Sequence, residues 1–332
     1  MRVCTVKDVA KKAGVSAMTV SRVLNQTGSV SEATRRKVLD AASELHYYGN
    51  SVARSLRVNE TKTIGVVLSD SSEMVLSTVL RSIHDVVGLQ GYTVITANTD
   101  RRKEMERFAI ETLMRKHIDG LILVAPLCFD RETTDWLKSL AIPFVILMRS
   151  CEDETVDSVM NDNFRGGCTV GEYLCSLGAR NFLFLPLRDS LSSKARLEGF
   201  YEAMNRRKLS RENCMVCEVS QDPETGYEKT KELLETIRRF DAVVCGCDTV
   251  AMGVMRALVD GGVRIPEDIR VIGYDGIEFA KYTVVPLSTI AQPFYQIGST
   301  GAQVLLDRIR EPDGPARKIM YEGELGSRRS TE

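Results

Sequence analysis

The stretch Ser16-Ala-Met-Thr-Val-Ser-Arg22 carries side chains suited to reading the edge of a base pair. Arg22 can donate two hydrogen bonds to a guanine, and Ala17 and Met18 offer apolar surface to base edges, a thymine methyl included. Ser16, Thr19 and Ser21 are short hydroxyls of the kind that hold phosphate oxygens. A second polar set is spread along the chain: Asp70, Arg149, Arg196, Asp248 and Asp275. Each falls at the end of an expected strand or the start of an expected helix. Charged groups converging on a cleft suit the hydroxyls or an acidic group of a small ligand. Taken alone, each of them also reads as a cap or a surface ion pair, and Asp248 makes a good helix N-cap. Other chemistries find less support. Cys214-Met-Val-Cys217 has redox-motif spacing, but Val216 and Val219 make it part of a buried strand. Cys245-Gly-Cys247 is too short for a zinc knuckle and only three histidines are available, so no metal and no cofactor is expected. No catalytic triad, Walker loop or dinucleotide fingerprint stands in the context its chemistry needs, which argues against an enzyme. Gly166-Gly-Cys-Thr-Val-Gly171 lacks the Gly-Lys-Ser/Thr of a phosphate loop, and close helix packing is the better reading.

The elements that must position Arg22 are short helices. Thr5 can cap a helix with Asp8 reaching back, and Val6, Val9, Ala10 and Ala13 recur on one face. Gly14 stops that helix, Val15 tucks inward, and Ser16 caps a second one over Ala17–Leu24, with Val20, Val23 and Leu24 inside. After a turn at Gly28, Ser31 caps a third helix whose Val38, Leu39, Ala42 and Leu45 close the bundle. Two short helices joined by a glycine turn and closed by a third make a helix-turn-helix. Charge agrees. Residues 1–60 hold ten basic and five acidic side chains, a net charge of +5, which leaves −6 for the remainder of a chain whose total is −1. A basic head on an acidic body is suited to a polyanion.

Thr5-Val-Lys-Asp-Val-Ala-Lys-Lys-Ala-Gly-Val-Ser16 followed by Thr19-Val-Ser-Arg-Val-Leu-Asn25 resembles the opening signature of the lactose-repressor/galactose-repressor family of bacterial regulators. The likeness continues through Val30-Ser-Glu-Ala-Thr-Arg35 and Asn50-Ser-Val-Ala-Arg-Ser-Leu56, with Gly49 where the family commonly has proline. The resemblance implies that Asn25 and Asn50 belong to the DNA-binding set. It also implies that residues 50–58 form a hinge helix ordered on operator DNA, with Leu56 wedged into the minor groove. Such a wedge unstacks a base step and kinks the duplex, and Arg54 and Arg57 can hold flanking phosphates or the groove. Gly49 should loosen the unbound hinge, since glycine restricts the free chain less than proline.

From residue 63 β-rich runs alternate with amphipathic helical stretches: strands over 63–68, 93–97, 120–125 and 143–148, with helices over 75–89, 103–116 and 133–140. After 156–160 a second series follows: a helix from Phe164, strands over 181–185, 215–219, 242–245 and 269–273, and helices over 194–207, 223–237 and 249–261. Alternation of this kind predicts parallel sheets with helices on both faces, and two series predict two doubly wound lobes with a cleft between strand ends. The expected fold is therefore an all-α three-helix headpiece followed by an α/β core. By resemblance that core is similar to periplasmic sugar-binding proteins. Carried over from the family, the divisions are a headpiece at 1–49, a hinge and linker at 50–62, and a core at 63–332. The core has an N-lobe at about 63–161 and 292–320 and a C-lobe at about 162–291 and 321–332.

The resemblance implies that positions matching Arg196, Asp248 and Asp275 contact an effector. Departures bear on which effector. Glu73-Met-Val-Leu76 replaces the Asn-Pro-Phe-Phe common after the first strand, Met148 stands where an aspartate is common, and Gln221 stands where the purine repressors carry a stacking phenylalanine. Aromatic faces are lost, so a planar purine is disfavoured. With Arg149 and Arg196 present, a sugar acid or phosphorylated metabolite is expected ahead of a neutral sugar. The expected protein is a cytoplasmic, nucleoid-associated repressor that binds operator double-stranded DNA as a homodimer. The tail after Ser330 offers no heptads for a tetramer, and no apolar run reaches the roughly 20 residues of a membrane span. A periplasmic-type binding protein would fit the body, but the DNA-binding head and the missing signal peptide argue against it.

Overall fold

The computed structural model describes residues 4–24, 27–47, 60–127, 130–149, 151 and 153–332. The expected site residues Asn25, Asn50, Arg54 and Leu56 lie outside the described residues. The chain divides into two units, Met1–Thr61 and Lys62–Glu332.

In the first unit, helices α1 (Val6–Ala13), α2 (Ala17–Leu24) and α3 (Glu32–Glu44) form where the capping residues place them. The Thr5 backbone N–H donates to the Asp8 carboxylate at 2.9 Å, which closes the start of α1. Gly14 ends it at φ 66°, a left-handed conformation that a β-carbon would strain. Ser31 Oγ accepts from the Thr34 N–H at 3.3 Å and starts α3. Val9, Val20 and Val38, one from each helix, meet with no exposed surface, together with Ala10, Val23, Ala41 and Ala42. Burying each valine contributes about 1.5–3 kcal/mol. One core assignment needs correcting. Leu39 is half exposed, because Val38, Ala41, Ala42 and Leu45 share the inner face at three- and four-residue spacing and Leu39 falls off it.

The second unit is built on two six-stranded sheets. The first runs β2 (Thr93–Asn98), β1 (Thr63–Leu68), β3 (Gly120–Val124), β4 (Phe144–Leu147), β5 (Asp157–Asn161) and β11 (Lys318–Tyr321), all parallel. The second runs β7 (Cys214–Val216), β6 (Phe182–Leu185), β8 (Ala242–Cys245), β9 (Arg270–Asp275), β10 (Ser288–Ala291) and β12 (Glu324–Gly326); only β12 is antiparallel to its neighbour. Interior strands such as β1 and β3 are apolar almost throughout, since helices cover both of their faces. The chain passes from the first sheet to the second after β5, returns after β10, and crosses again after β11. The doubly wound α/β reading therefore holds for both lobes.

Boundaries differ where local chemistry decides. The expected helix over 223–237 is two pieces, Pro223–Glu232 and Leu234–Ile237. The helix expected at 133 begins at Arg131, because Asp130 Oδ1 accepts from the Thr133 N–H at 2.8 Å. The strand expected over 215–219 stops at Val216, leaving Val219 in a single bridge to Leu187. Among the described residues, no helix is long and apolar enough to cross a membrane.

Candidate functional site

In the headpiece, α2 turns Val20 and Val23 into the core and leaves Met18 65% exposed, with Ser16 and Arg22 open beside it. Ala17, Thr19 and Ser21 are half-buried, and Ala17 packs against the headpiece core. Ser16 Oγ accepts from the Thr19 N–H at 3.1 Å and lies 2.9 Å from Thr19 Oγ1, so both hydroxyls take part in the cap. Met18 and Arg22 are one helical turn apart and project together.

In the core, the sheet order places switch points between β1 and β3 and between β6 and β8, where doubly wound folds bind ligands. Asp275 ends β9 at φ 119° and is almost fully buried. The Gln292 amide donates to its Oδ1 at 2.6 Å, and Arg196 Nη2 stands 3.8 Å away. Asn161, at the end of β5, donates in turn to Gln292. Arg196 donates to Asn163 Oδ1 at 2.9 Å and to the Gly246 carbonyl at 2.7 Å, and its guanidinium lies 3.7 Å from the centre of the Tyr274 ring. This chain of contacts joins the two sheets at the crossovers. Burial pushes the Asp275 carboxyl up to about 6, against the lowering effect of Arg196.

Arg196 is held by the packing of its helix. Helices Asn163–Ser176 and Leu191–Arg206 cross so closely that a β-carbon on Gly167 would lie 1.9 Å from the Arg196 carbonyl oxygen. A β-carbon on Gly199 would lie 1.9 Å from that of Phe164. Gly167 and Gly171 therefore serve helix packing, while Gly166 leaves room for the Tyr274 side chain of β9.

Asp248 is placed differently from the expectation of a cleft residue. It opens the helix Asp248–Asp260 with no exposed surface, and its Oδ2 accepts from the Gly276 and Ile277 N–H groups at 2.8 and 2.9 Å. Burial, then the charge of Asp275, raises its carboxyl to about 7. It packs so tightly that a β-carbon on Gly273 would fall 2.1 Å from its Oδ1, which accounts for the glycine in Ile272-Gly-Tyr-Asp275. The residue anchors the turn after β9, and its carboxylate is covered.

The other expected residues lie nearer the opening. Arg149 donates to the Leu127 carbonyl at 3.0 Å and lines a cavity of about 180 Å³ with Met148, Asn161, Asn163, Phe164 and Ser192. Asp70 accepts from the Ser72 backbone and hydroxyl, which hold its carboxyl below the usual range. Gln221 bonds to Arg101 at 2.7 Å and to Glu73 at 2.9 Å, from the opposite lobe. Arg101, Asn161 and Gln292 escaped sequence reasoning as site residues. Their only local signal is a polar residue just beyond a β-rich run.

All eight cysteines among the described residues are free thiols. Burial pushes Cys214 up to about 12 and raises Cys217 as well, so neither is a ready nucleophile.

Residues 5–50 match the family model for bacterial regulatory proteins, lacI family, and residues 172–331 match a periplasmic binding protein-like domain. An HTH-type transcriptional repressor PurR of Vibrio atlanticus (strain LGP32) is 36% identical over 330 residues, covering 98% of this chain and 97% of the relative. Among solved structures, the lac repressor dimer bound to operator and the anti-inducer ONPF superposes with a TM-score of 0.89 at 28% identity, over 99% of each chain. A complex of the transcriptional regulator CelR with cellobiose has a TM-score of 0.74 at 28% identity, over 98% of this chain and 99% of that one.

Proposed function

The chain belongs to the lacI family of bacterial regulatory proteins and is a DNA-binding transcriptional repressor with an effector-binding core, not an enzyme; from that premise we propose how its residues divide the work. Residues 1–49 bind the operator, 50–62 form the hinge and linker, and 63–332 form the two-lobed core. Two chains form a homodimer on a pseudo-palindromic operator in the bacterial cytoplasm, one headpiece to each half-site. Arg22 reads a guanine and Met18 and Ala17 contact base edges, while Ser16, Thr19 and Ser21 hold phosphates. Asn25, Asn50, Arg54 and the wedge Leu56 complete the DNA-binding set by resemblance. A small effector, a sugar, sugar acid or phosphorylated metabolite, enters the cleft near Asp70, Arg149, Arg196, Gln221 and Asp275. It shifts operator affinity by favouring one arrangement of the lobes.

The observation that carries this reading is the capped helix α2, buried through Val20 and Val23 and open through Met18 and Arg22, in a segment of charge +5. The test begins with selection of a preferred duplex from a random pool. Arg22→Ala should then weaken binding to that duplex by about 1–3 kcal/mol and leave random-duplex binding nearly unchanged. Equal losses on the two duplexes would remove Arg22 as a base reader.

A further inference from the structure

Three side chains from separate stretches of chain close a triangle at the cleft. Arg101 follows β2, Glu73 precedes the helix Met74–Leu89, and Gln221 belongs to the other lobe, just before the helix Pro223–Glu232. Arg101 Nη2 donates to Glu73 Oε1 at 2.6 Å and to Gln221 Oε1 at 2.7 Å, and Gln221 Nε2 donates to Glu73 Oε2 at 2.9 Å. Each member thus bonds to the other two, and two of the three bonds cross between lobes. Asp100 and Arg101 stand at φ 50° and 54°, a left-handed conformation that aspartate tolerates but that is uncommon for arginine, and the Arg101 N–H is tied to the Ser69 carbonyl at 2.8 Å. Glu73 is only 16% exposed, and burial raises its carboxyl against the pull of Arg101. Asp70, 3.9 Å from Arg101 Nε, adds a second carboxylate. Two members of the triangle, Glu73 and Gln221, are departures from the family pattern.

We propose that Arg101, Glu73 and Gln221 form a clasp that holds the lobes together without a ligand. In it Glu73 occupies the place of an effector's anionic group, so the cleft selects a small carboxylate or phosphate ester over a neutral sugar. The proposal rests on the cleft being the effector site. To enter between the lobes a ligand must take Arg101 from Glu73. A neutral hydroxyl would replace an ion pair with an ion–neutral bond and leave the Arg101 guanidinium only Asp70, 3.9 Å away, as counter-charge. An anion replaces the bond in kind and keeps a counter-charge on the guanidinium.

Hydrogen–deuterium exchange on the full chain tests the clasp. Arg101→Ala and Gln221→Ala should each speed exchange of the amides around residues 70–73 and 219–222 by about tenfold or more, the loss of roughly 1.4 kcal/mol of closure. The charge swap of Glu73→Arg with Arg101→Glu should restore slow exchange, because the Gln221 amide can turn over and serve the reversed pair. Wild-type rates in both single variants would overturn the clasp. Calorimetric titration with inorganic phosphate tests the ligand class. Glu73→Gln, which removes the internal anion, should bind phosphate several-fold tighter than wild type, and Arg101→Ala about tenfold weaker. Equal affinity in wild type and Glu73→Gln, or no binding to either, would overturn the anion assignment. Neither measurement reads operator binding, so failure here leaves the repressor reading standing. An intact clasp in a protein whose operator affinity no metabolite alters would instead count against the cleft as the effector site.

Discussion

Two carboxyl groups, Asp248 and Asp275, are buried, and they are compensated differently. Asp275 has Arg196 and the Gln292 amide beside it, whereas Asp248 is held by the backbone N–H groups of Gly276 and Ile277. Burial raises both, Asp248 to about 7 from an ordinary 3.8. The sign of the consequence follows from proton counting. Between the unfolded value and about 7 the folded chain binds more protons than the unfolded one, so stability falls as pH rises through that window and levels off above it. Asp268, which Arg264 lowers to about 2, acts in the opposite sense but only in more acidic solution. Unfolding in urea should therefore show the core losing about 2–4 kcal/mol between about pH 5 and pH 7.5. Asp248→Asn keeps an oxygen for Gly276 and Ile277 without the charge, and should flatten that slope. An unchanged slope in the variant would show that Asp248 is not the titrating group.

At the scale of elements, the pair Asn163–Ser176 and Leu191–Arg206 sets Arg196 against Asn163, and it does so because Gly167 and Gly199 let two backbones touch. Gly199→Ala should destabilise by about 1–3 kcal/mol, the cost of overpacking, despite alanine's better helix propensity. Gly88 is the contrast. It lies in the helix Met74–Leu89, where an added β-carbon meets nothing within 4 Å, so Gly88→Ala should stabilise by up to about 1 kcal/mol. Denaturation curves of the two variants should move in opposite directions; stabilisation by both would mean that propensity, not the close crossing, governs the first site. Legibility in the sequence follows the same division. Strands β1, β3 and β8 and the capped helices of the headpiece are readable because period, caps and glycines act locally. The glycines at 166–171 announce close packing from their number alone. What stays hidden depends on partners far along the chain. Nothing near Arg101 announces its left-handed backbone or its partner 120 residues away, and nothing near Asp248 says that the turn at Gly276 will cover it. The strand Ser288–Ala291 and the helix Phe294–Arg310 were legible only as a resemblance at Thr289–Pro293, because the return crossover has no local signature.

At the scale of the whole molecule, the proposed homodimer pairs one headpiece with another. A single recognition helix reads a few base pairs, and two copies spaced about one helical turn apart on DNA, some 34 Å, multiply that selectivity. The C-lobe carries exposed apolar side chains that the proposed homodimer would cover. Phe279, Tyr282 and Val284 fall within six residues and are 60%, 75% and 95% exposed, with Val259 also half exposed. Large apolar side chains concentrated this way on a monomer mark an interaction site. In a closed dimer the same patch on each chain would cover its twin, since a two-fold interface is self-complementary. Val284→Asp places a charge at the most exposed of these positions, where it disturbs no contact inside the lobe. Sedimentation should show the variant shifting toward monomer while its thermal stability stays close to wild type. Affinity for a full operator should then fall by more than about tenfold, and affinity for an isolated half-site should hardly change, because each headpiece is intact. If the variant sediments as wild type does, the partner surface lies elsewhere on the core, and the exposed segment 279–284 awaits a different occupant.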